Sequence, residues 1–218
     1  MRLIFATNNK NKLSEMREIM GAKYENSIFS LSDFGVVVNP NETGATFFEN
    51  ANIKSVVSFN ELKEKKLLKV DDYIIADDTG LLIDFLDGKP GIYSARFMGD
   101  ISQKEKNEKI INLMENCKNS ERTARFETHL SVIEINNDKN IINMPKPLHF
   151  VGIMNGFIAK KLVGNSGFGY DPIFAVCDYR DLDKDEVLTY ASIGQDKKNA
   201  ISHRAKALKL FVSYLEKK

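Results

Sequence analysis

Residues 74–80 read Ile-Ile-Ala-Asp-Asp-Thr-Gly, an apolar run that breaks into two adjacent carboxylates and then a turn former. A short continuous apolar run suits a strand buried on both faces, as in α/β sheets with helices on either side. Ligands of such sheets sit beyond the carboxyl ends of the strands. The expectation is therefore a strand over residues 73–76 that stops at Asp77 and Asp78 and aims both at an opening. Vicinal carboxylates repel unless a cation or hydrogen-bond donors compensate them, and Mg²⁺ held by one or two carboxylates plus substrate phosphates is a common solution. The plainer alternative is a solvated Asp-Asp turn closing a strand.

Where an anion would bind must be decided locally, because 31 basic residues against 30 acidic ones leave a net charge of +1. That balance provides no general field for nucleic acid or an anionic membrane, and neither is expected as a partner. Cys117 and Cys177 form no CxxC pair, which argues against a disulfide framework or a structural zinc. The first residues enter a strand pattern at once, no run approaches a membrane span, and a cytoplasmic location is expected. With 218 residues, no internal repeat and no linker-like stretch, residues 1–218 are expected to form a single domain.

Apolar periodicity predicts a strand over 3–6 and a helix from 11 through Leu13, Met16, Ile19 and Met20. A second helix is expected over 46–62, with Thr46 as N-cap and Glu49 completing a capping box. After the breakers Gly88, Pro90 and Gly91, a helix over 102–115 should turn Ile110, Leu113 and Met114 inward. Long strands are expected over 124–135 and 150–158, with a turn at 136–140 and a further strand at 141–144 between them. A last helix over 202–216 should bury Ala205, Leu208, Phe211, Val212 and Leu215, with Ser202 as its N-cap. The pattern is α/β with an antiparallel extension.

Three polar constellations stand out. Thr7, Asn8, Asn9, Lys10, Asn11 and Lys12 lie between the first strand and its helix, where free amides and the helix dipole favour an anion. No Walker A pattern is present, and an ordinary polar loop is the alternative. Ser166-Gly-Phe168-Gly169-Tyr170-Asp171 sets aromatics among glycines, so Phe168 and Tyr170 are candidates to stack on a flat ligand and Asp171 to bond its edge, unless the segment is simply a turn packed on the core. Lys198 precedes His203 and Arg204, and a cation in a helix's first turn conflicts with the dipole unless it serves a ligand. His129 and His149 read as structural, and Glu42 and Lys54 read as surface charges.

Taken together and in order, TNNKNK, FFENANIKS, ADDTGL, PGIYSARF, SGFGYDPIF and KNAISHRA closely resemble the inosine triphosphate pyrophosphatase family, over nearly the whole chain. The resemblance implies a mixed elongated α/β sheet with flanking helices and two lobes around a central nucleotide-binding cleft. It implies a homodimer, Mg²⁺ as cofactor, and hydrolysis of non-standard purine nucleoside triphosphates (ITP, dITP, XTP) to monophosphate and pyrophosphate. Residues 7–12 would hold the triphosphate, with Lys54 as a further phosphate contact. Glu42 and Asp78 would hold Mg²⁺, Asp78 would accept the proton, and Thr79 would touch substrate. Phe168, Gly169, Tyr170 and Asp171 would cradle the base with Lys198, His203 and Arg204. Asn8 and Thr79 depart from a frequent Gly and Ser, and both keep polar groups.

The chemistry agrees with these roles. Cleavage between the α- and β-phosphates needs a positioned water and neutralised charge, which a cation on Asp78 and Glu42 supplies, with Asp78 or its neighbour Asp77 orienting the water and Lys12 and Lys54 holding the leaving pyrophosphate. Hypoxanthine and xanthine present a carbonyl at C6 where adenine presents an amino group, so donors from Arg204, Lys198 or the backbone would reject adenine. The same residues are compatible with a nucleotide sensor that does no chemistry, and with a pyrophosphatase for modified pyrimidine nucleotides.

Overall fold

The structure, a computed structural model, describes all residues from Met1 to Lys218. Its elements are β1 (Arg2–Phe5), α1 (Lys10–Met20), β2 (Ile28–Ser30), α2 (Phe47–Glu64), β3 (Asp72–Ile83), α3 (Gln103–Leu113), β4 (Thr123–Glu134), α4 (Asp138–Ile142), β5 (Leu148–Ile158), β6 (Phe174–Ala175), α5 (Gln195–Ile201) and α6 (His203–Leu215). The six strands form one mixed sheet in the order β2-β1-β3-β4-β5-β6, so the class is α/β as expected. Two compact units divide the chain: Met1–Asp78, Thr128–Gly152 and Arg204–Lys218 make the first, Thr79–Glu127 and Ile153–His203 the second.

In the first unit β1 runs parallel to both neighbours, with Leu3 opposite Ile28 and Tyr73. The start of β3 meets the end of β4 antiparallel, through Asp71 N–H to Ile135 O and Ile135 N–H to Asp72 O. Strand alternation sends successive side chains to opposite faces, and two cores result. Leu3, Phe5, Tyr73 and Ile75 pack with Met16 and Met20 of α1 and with Ala207, Leu208 and Phe211 of α6. Ile4, Ala6, Ile74 and Ala76 pack with Phe59 and Leu62 of α2. The α2 N-terminus has the capping box expected of Thr46 and Glu49.

In the second unit the end of β5 meets the start of β4, through Ile158 N–H to Arg122 O, and β6 adds to β5 with Phe157 opposite Ala175. The core combines Leu81 and Ile83, Ile110 and Met114, Phe126, Tyr170, Phe174 and Tyr190. Gly156 has no room for a side chain, since a Cβ there would stand 2.4 Å from Ala175 O and 2.8 Å from the Phe174 ring. Gly156→Ala is expected to cost about 1–3 kcal/mol, because neither backbone nor a buried ring yields cheaply; a fall in the urea midpoint measures it.

Several expectations are corrected. The strand over 73–76 does not stop at the acidic pair but continues to Ile83. The strand expected at 141–144 is replaced by α4, where the Asn137 side chain accepts from Asn140 N–H and caps a helical turn. Leu113 is 54% exposed, and the inward row of α3 is Lys106, Asn107 and Ile110, followed by Met114. Ser202, in extended conformation, closes α5 with its N–H donating to Lys198 O and also stands immediately before α6, at the N-cap position expected of it. Neither β2 nor α5 was expected, one being three residues long and the other, QDKKNAI, having no apolar stripe. No helix is long and apolar enough to cross a membrane.

Candidate active site

The alternation that builds the two cores of the first unit also parts the acidic pair. Continuing the β3 register, Asp77 follows Ile75 onto the face covered by α1 and α6, and Asp78 follows Ala76 onto the face covered by α2. Adjacent carboxylates thus point away from each other, and each meets cations of its own side. They stand in mid-strand, 2% and 6% exposed, instead of at an open strand end. A buried charge is tolerated only when paired, and both are.

Asp77 Oδ2 accepts from Lys12 Nζ at 2.8 Å and from Arg204 Nη2 at 3.3 Å. Arg204 in turn ion-pairs with Glu15, one turn along α1 from Lys12. Burial by itself pushes the Asp77 carboxyl up, but Lys12, Arg204 and Lys54 outweigh it and hold the group well below the ordinary range. Burial likewise works against the Arg204 charge, and Asp77 and Glu15 more than restore it. The network joins α1, β3 and α6, and within it Arg204 Nε is buried and makes no hydrogen bond.

Asp78 is arranged differently. Its Oδ1 accepts from Lys54 Nζ at 2.6 Å, and the same ammonium lies 3.0 Å from Asp77 O and 3.1 Å from Glu42 Oε1. Its Oδ2 is buried and has no partner. Burial raises the Asp78 carboxyl above its ordinary value despite Lys54. Behind the ammonium, α2 is fixed to β4 by a buried chain in which Ser55 Oγ lies 2.7 Å from Ser131 Oγ and Ser131 donates to Asn52 Oδ1 at 2.8 Å.

Whether this corner fits a cation can be judged from its donors. Glu42 and Asp78 offer hard carboxylate oxygens, already gathered around one positive charge, and one of those oxygens is an orphaned buried acceptor. No group of three or more His, Cys, Asp or Glu converges. Two carboxylates alone suit Mg²⁺, which completes its shell with water and phosphate, better than Zn²⁺ or Ca²⁺.

The loop before α1 is partly self-satisfied. Asn9 is the N-cap, its Oδ1 accepting from Asn11 and Lys12 N–H, while Thr7 Oγ1 accepts from Asn9 N–H and Asn8 Nδ2 donates to Val38 O. Asn8, Asn9, Lys10 and Asn11 are exposed. An anion reaching the helix start would compete with the Asn9 cap for two amides.

In the second unit the glycine-aromatic segment folds around Asp171. Its Oδ2 accepts from Phe168 N–H at 2.8 Å and from Lys198 Nζ at 2.5 Å, and Gly167, at φ 78°, has no space for a Cβ beside that carboxylate. The Lys198 ammonium also lies 4.7 Å from the Phe168 ring centre and 5.6 Å from that of Tyr190. Gly169 O accepts from Asn107 Nδ2. Phe168 and Gly169 keep partial exposure.

Tyr170 does not fit that expectation. It is 5% exposed in the core, its hydroxyl donates to Ser94 O, and burial raises it to about 12. His203 is buried as well, stacked on Phe126 at 4.6 Å between ring centres. Arg204, expected near the base with Lys198, instead belongs to the Asp77 network of the first unit. At the start of the last helix the Arg204 charge, which the dipole disfavours, is paired with Glu15 and Asp77. Thr79 follows the acidic pair in β3 and is half-buried. His129 and His149 are structural as expected, lying against Phe47 and Phe48.

Glu15 was missed by sequence reasoning. Its spacing of three from Lys12 places both on one helix face, the only local signal it carries.

Comparison with known proteins adds to this geometry. A model of the Ham1 family matches residues 3–214. The dITP/XTP pyrophosphatase of Listeria monocytogenes is 38% identical over 209 residues, 95% of this chain and 91% of that protein. That of Thermoanaerobacter pseudethanolicus is 37% identical over 219 residues, 100% and 98% of the two chains. Among solved structures, a HAM1 protein from Coxiella burnetii superposes with a TM-score of 0.77 at 32% identity, covering 100% of both chains.

Proposed function

This chain belongs to the Ham1 family and is a nucleoside triphosphate pyrophosphohydrolase of non-standard purine nucleotides, and we propose that its chemistry is centred on Asp78 with Mg²⁺ held between Asp78 and Glu42. The observation that carries the reading is the buried, partnerless Oδ2 of Asp78, in a corner where two carboxylates share one ammonium. When bound there, Mg²⁺ supplies neutralisation of the phosphate oxygens and a nearby source of activated water. Lys54 and Lys12 hold the phosphates, with Thr7 to Asn11 giving polar contacts at the start of α1. Asp78 takes the proton of the attacking water; burial, by raising its basicity, suits it to that task. Asp77 does not share the role, because its carboxylate is paired through Oδ2 with Lys12 and Arg204.

Base recognition is assigned to the second unit. Phe168 stacks on the base, and Lys198, ion-paired with Asp171, and the backbone of Phe168 and Gly169 read its edge. Thr79 is a further substrate contact. Tyr170, Asp171 and His203 shape the site from behind without offering a free surface. A cationic donor facing C6 favours a carbonyl and leaves an adenine amino group unpaired. Residues 1–218 act as one catalytic domain, in the cytoplasm and as a homodimer, and the exposed apolar residues Ile142, Met144 and Val151 support a partner surface.

The test is product analysis with Mg²⁺ and ITP, dITP, XTP, ATP and GTP in parallel, with pyrophosphate and orthophosphate scored separately. Pyrophosphate from the first three only, lost on chelation, is expected. Stepwise orthophosphate, or equal turnover of ATP, would overturn the reading.

A further inference from the structure

Three consecutive amides ahead of α2 are gathered by side chains from the first turns of that helix. Gly44 N–H donates to Asn50 Oδ1 at 2.9 Å, and Ala45 and Thr46 N–H donate to Glu49 Oε2 at 2.6 and 3.1 Å. Glu49 is completing an ordinary capping box. Asn50 goes further: it is wholly buried, and its amide carbonyl reaches six residues back along the chain.

The contact is close on both sides. A Cβ at Gly44 would stand 2.7 Å from Asn50 Oδ1, 2.7 Å from Glu49 Cβ and 2.9 Å from Asn50 N. Two of those atoms have no freedom to move, so the approach of the loop to the helix requires glycine. Glu42 lies two residues before this pinned point, with Oε1 3.1 Å from Lys54 Nζ. Asn50 and Lys54 are four apart on α2 and therefore stack along one side of it. One helix thus carries both the pin for the loop and the ammonium that the loop's carboxylate meets.

We infer that Asn50 is a positioning residue for the metal centre: by holding Gly44 N–H against α2 it sets Glu42 in place before any cation arrives. The inference rests on the reading that Glu42 and Asp78 hold the cation. A carboxylate on an untethered loop must be ordered at the moment of binding, and pre-ordering it removes that cost. One buried hydrogen bond contributes about 1 kcal/mol net, which corresponds to about five- to tenfold in a dissociation constant.

The test measures Mn²⁺ binding to the protein saturated with α,β-methylene dITP, by the electron paramagnetic resonance of free Mn²⁺, for the wild type, Glu42→Gln, Asn50→Leu and Gly44→Ala. Hydrogen exchange across residues 41–46 of the metal-free proteins is followed in parallel. Asn50→Leu and Gly44→Ala are each expected to weaken Mn²⁺ about five- to tenfold and to speed exchange of the Gly44 amide. Gly44→Ala breaks the same contact from the loop side, so it decides the matter should the buried Asn50 variant not fold. Weakened binding in Glu42→Gln with unchanged binding in Asn50→Leu and Gly44→Ala would overturn the role of Asn50 and leave the metal reading standing. Unchanged binding in Glu42→Gln would overturn the metal reading itself, and with it this inference, even if exchange at Gly44 were faster.

Discussion

Replacing Asp78 with asparagine is expected to lower pyrophosphate release from dITP by about 10²–10⁴-fold, the range associated with loss of a positioned base, while the protein stays folded. The substitution is nearly isosteric and removes both the proton acceptor and one of two carboxylates offered to the cation. It should cost little stability. Burial already disfavours the charged form of Asp78, and Lys54 retains Glu42 and the Asp77 carbonyl as partners. The folding free energy should therefore change by no more than about 1 kcal/mol. Turnover is read from kcat, and binding from titration with α,β-methylene dITP. Turnover within a few fold of wild type would remove Asp78 from the chemistry.

The same change one residue earlier should act on the fold. Asp77→Asn leaves Lys12 and Arg204 buried around a neutral side chain, and removing one partner of a buried ionic cluster costs about 3–5 kcal/mol. Glu15 still faces Arg204, which places the expected loss toward the lower end. The measurement belongs at pH 7. The Asp77 carboxyl is held below its ordinary value of 3.8 in the folded protein, so its contribution is complete above 3.8 and is lost only as pH falls through the lowered folded value. A urea midpoint that falls for Asp77→Asn and holds for Asp78→Asn would establish that the two neighbours have separate duties. Equal midpoints would mean that the Asp77 cluster is not an anchor.

Much of the scaffold was legible because it is local. The strands β1, β4 and β5 and the helices α1, α2, α3 and α6 announce themselves through apolar period and caps, which depend on residues within a turn or a pleat of each other. The capping box of Thr46 and Glu49 was found where the sequence placed it. The inward residue that failed, Leu113, lost its place to Lys106 and Asn107, which the second unit buries by pairing their polar ends with Ala95 O and Gly169 O. Pattern alone cannot foresee that kind of burial.

By itself the chain determined the acidic pair, the glycine-aromatic segment and the order of the motif blocks, and these were enough to identify the resemblance. What only the tertiary structure decided is the division of labour among those residues. A strand ending in two aspartates reads as an edge, since nothing nearby neutralises them. The cations that let β3 continue come from 65 positions before Asp77 and 127 positions after it. Alternation then sends Asp77 to Lys12 and Arg204 and Asp78 to Lys54, because a pleated strand turns neighbouring side chains to opposite faces. Charges brought together across such separations make one aspartate an anchor and leave the other with a buried, unpartnered oxygen.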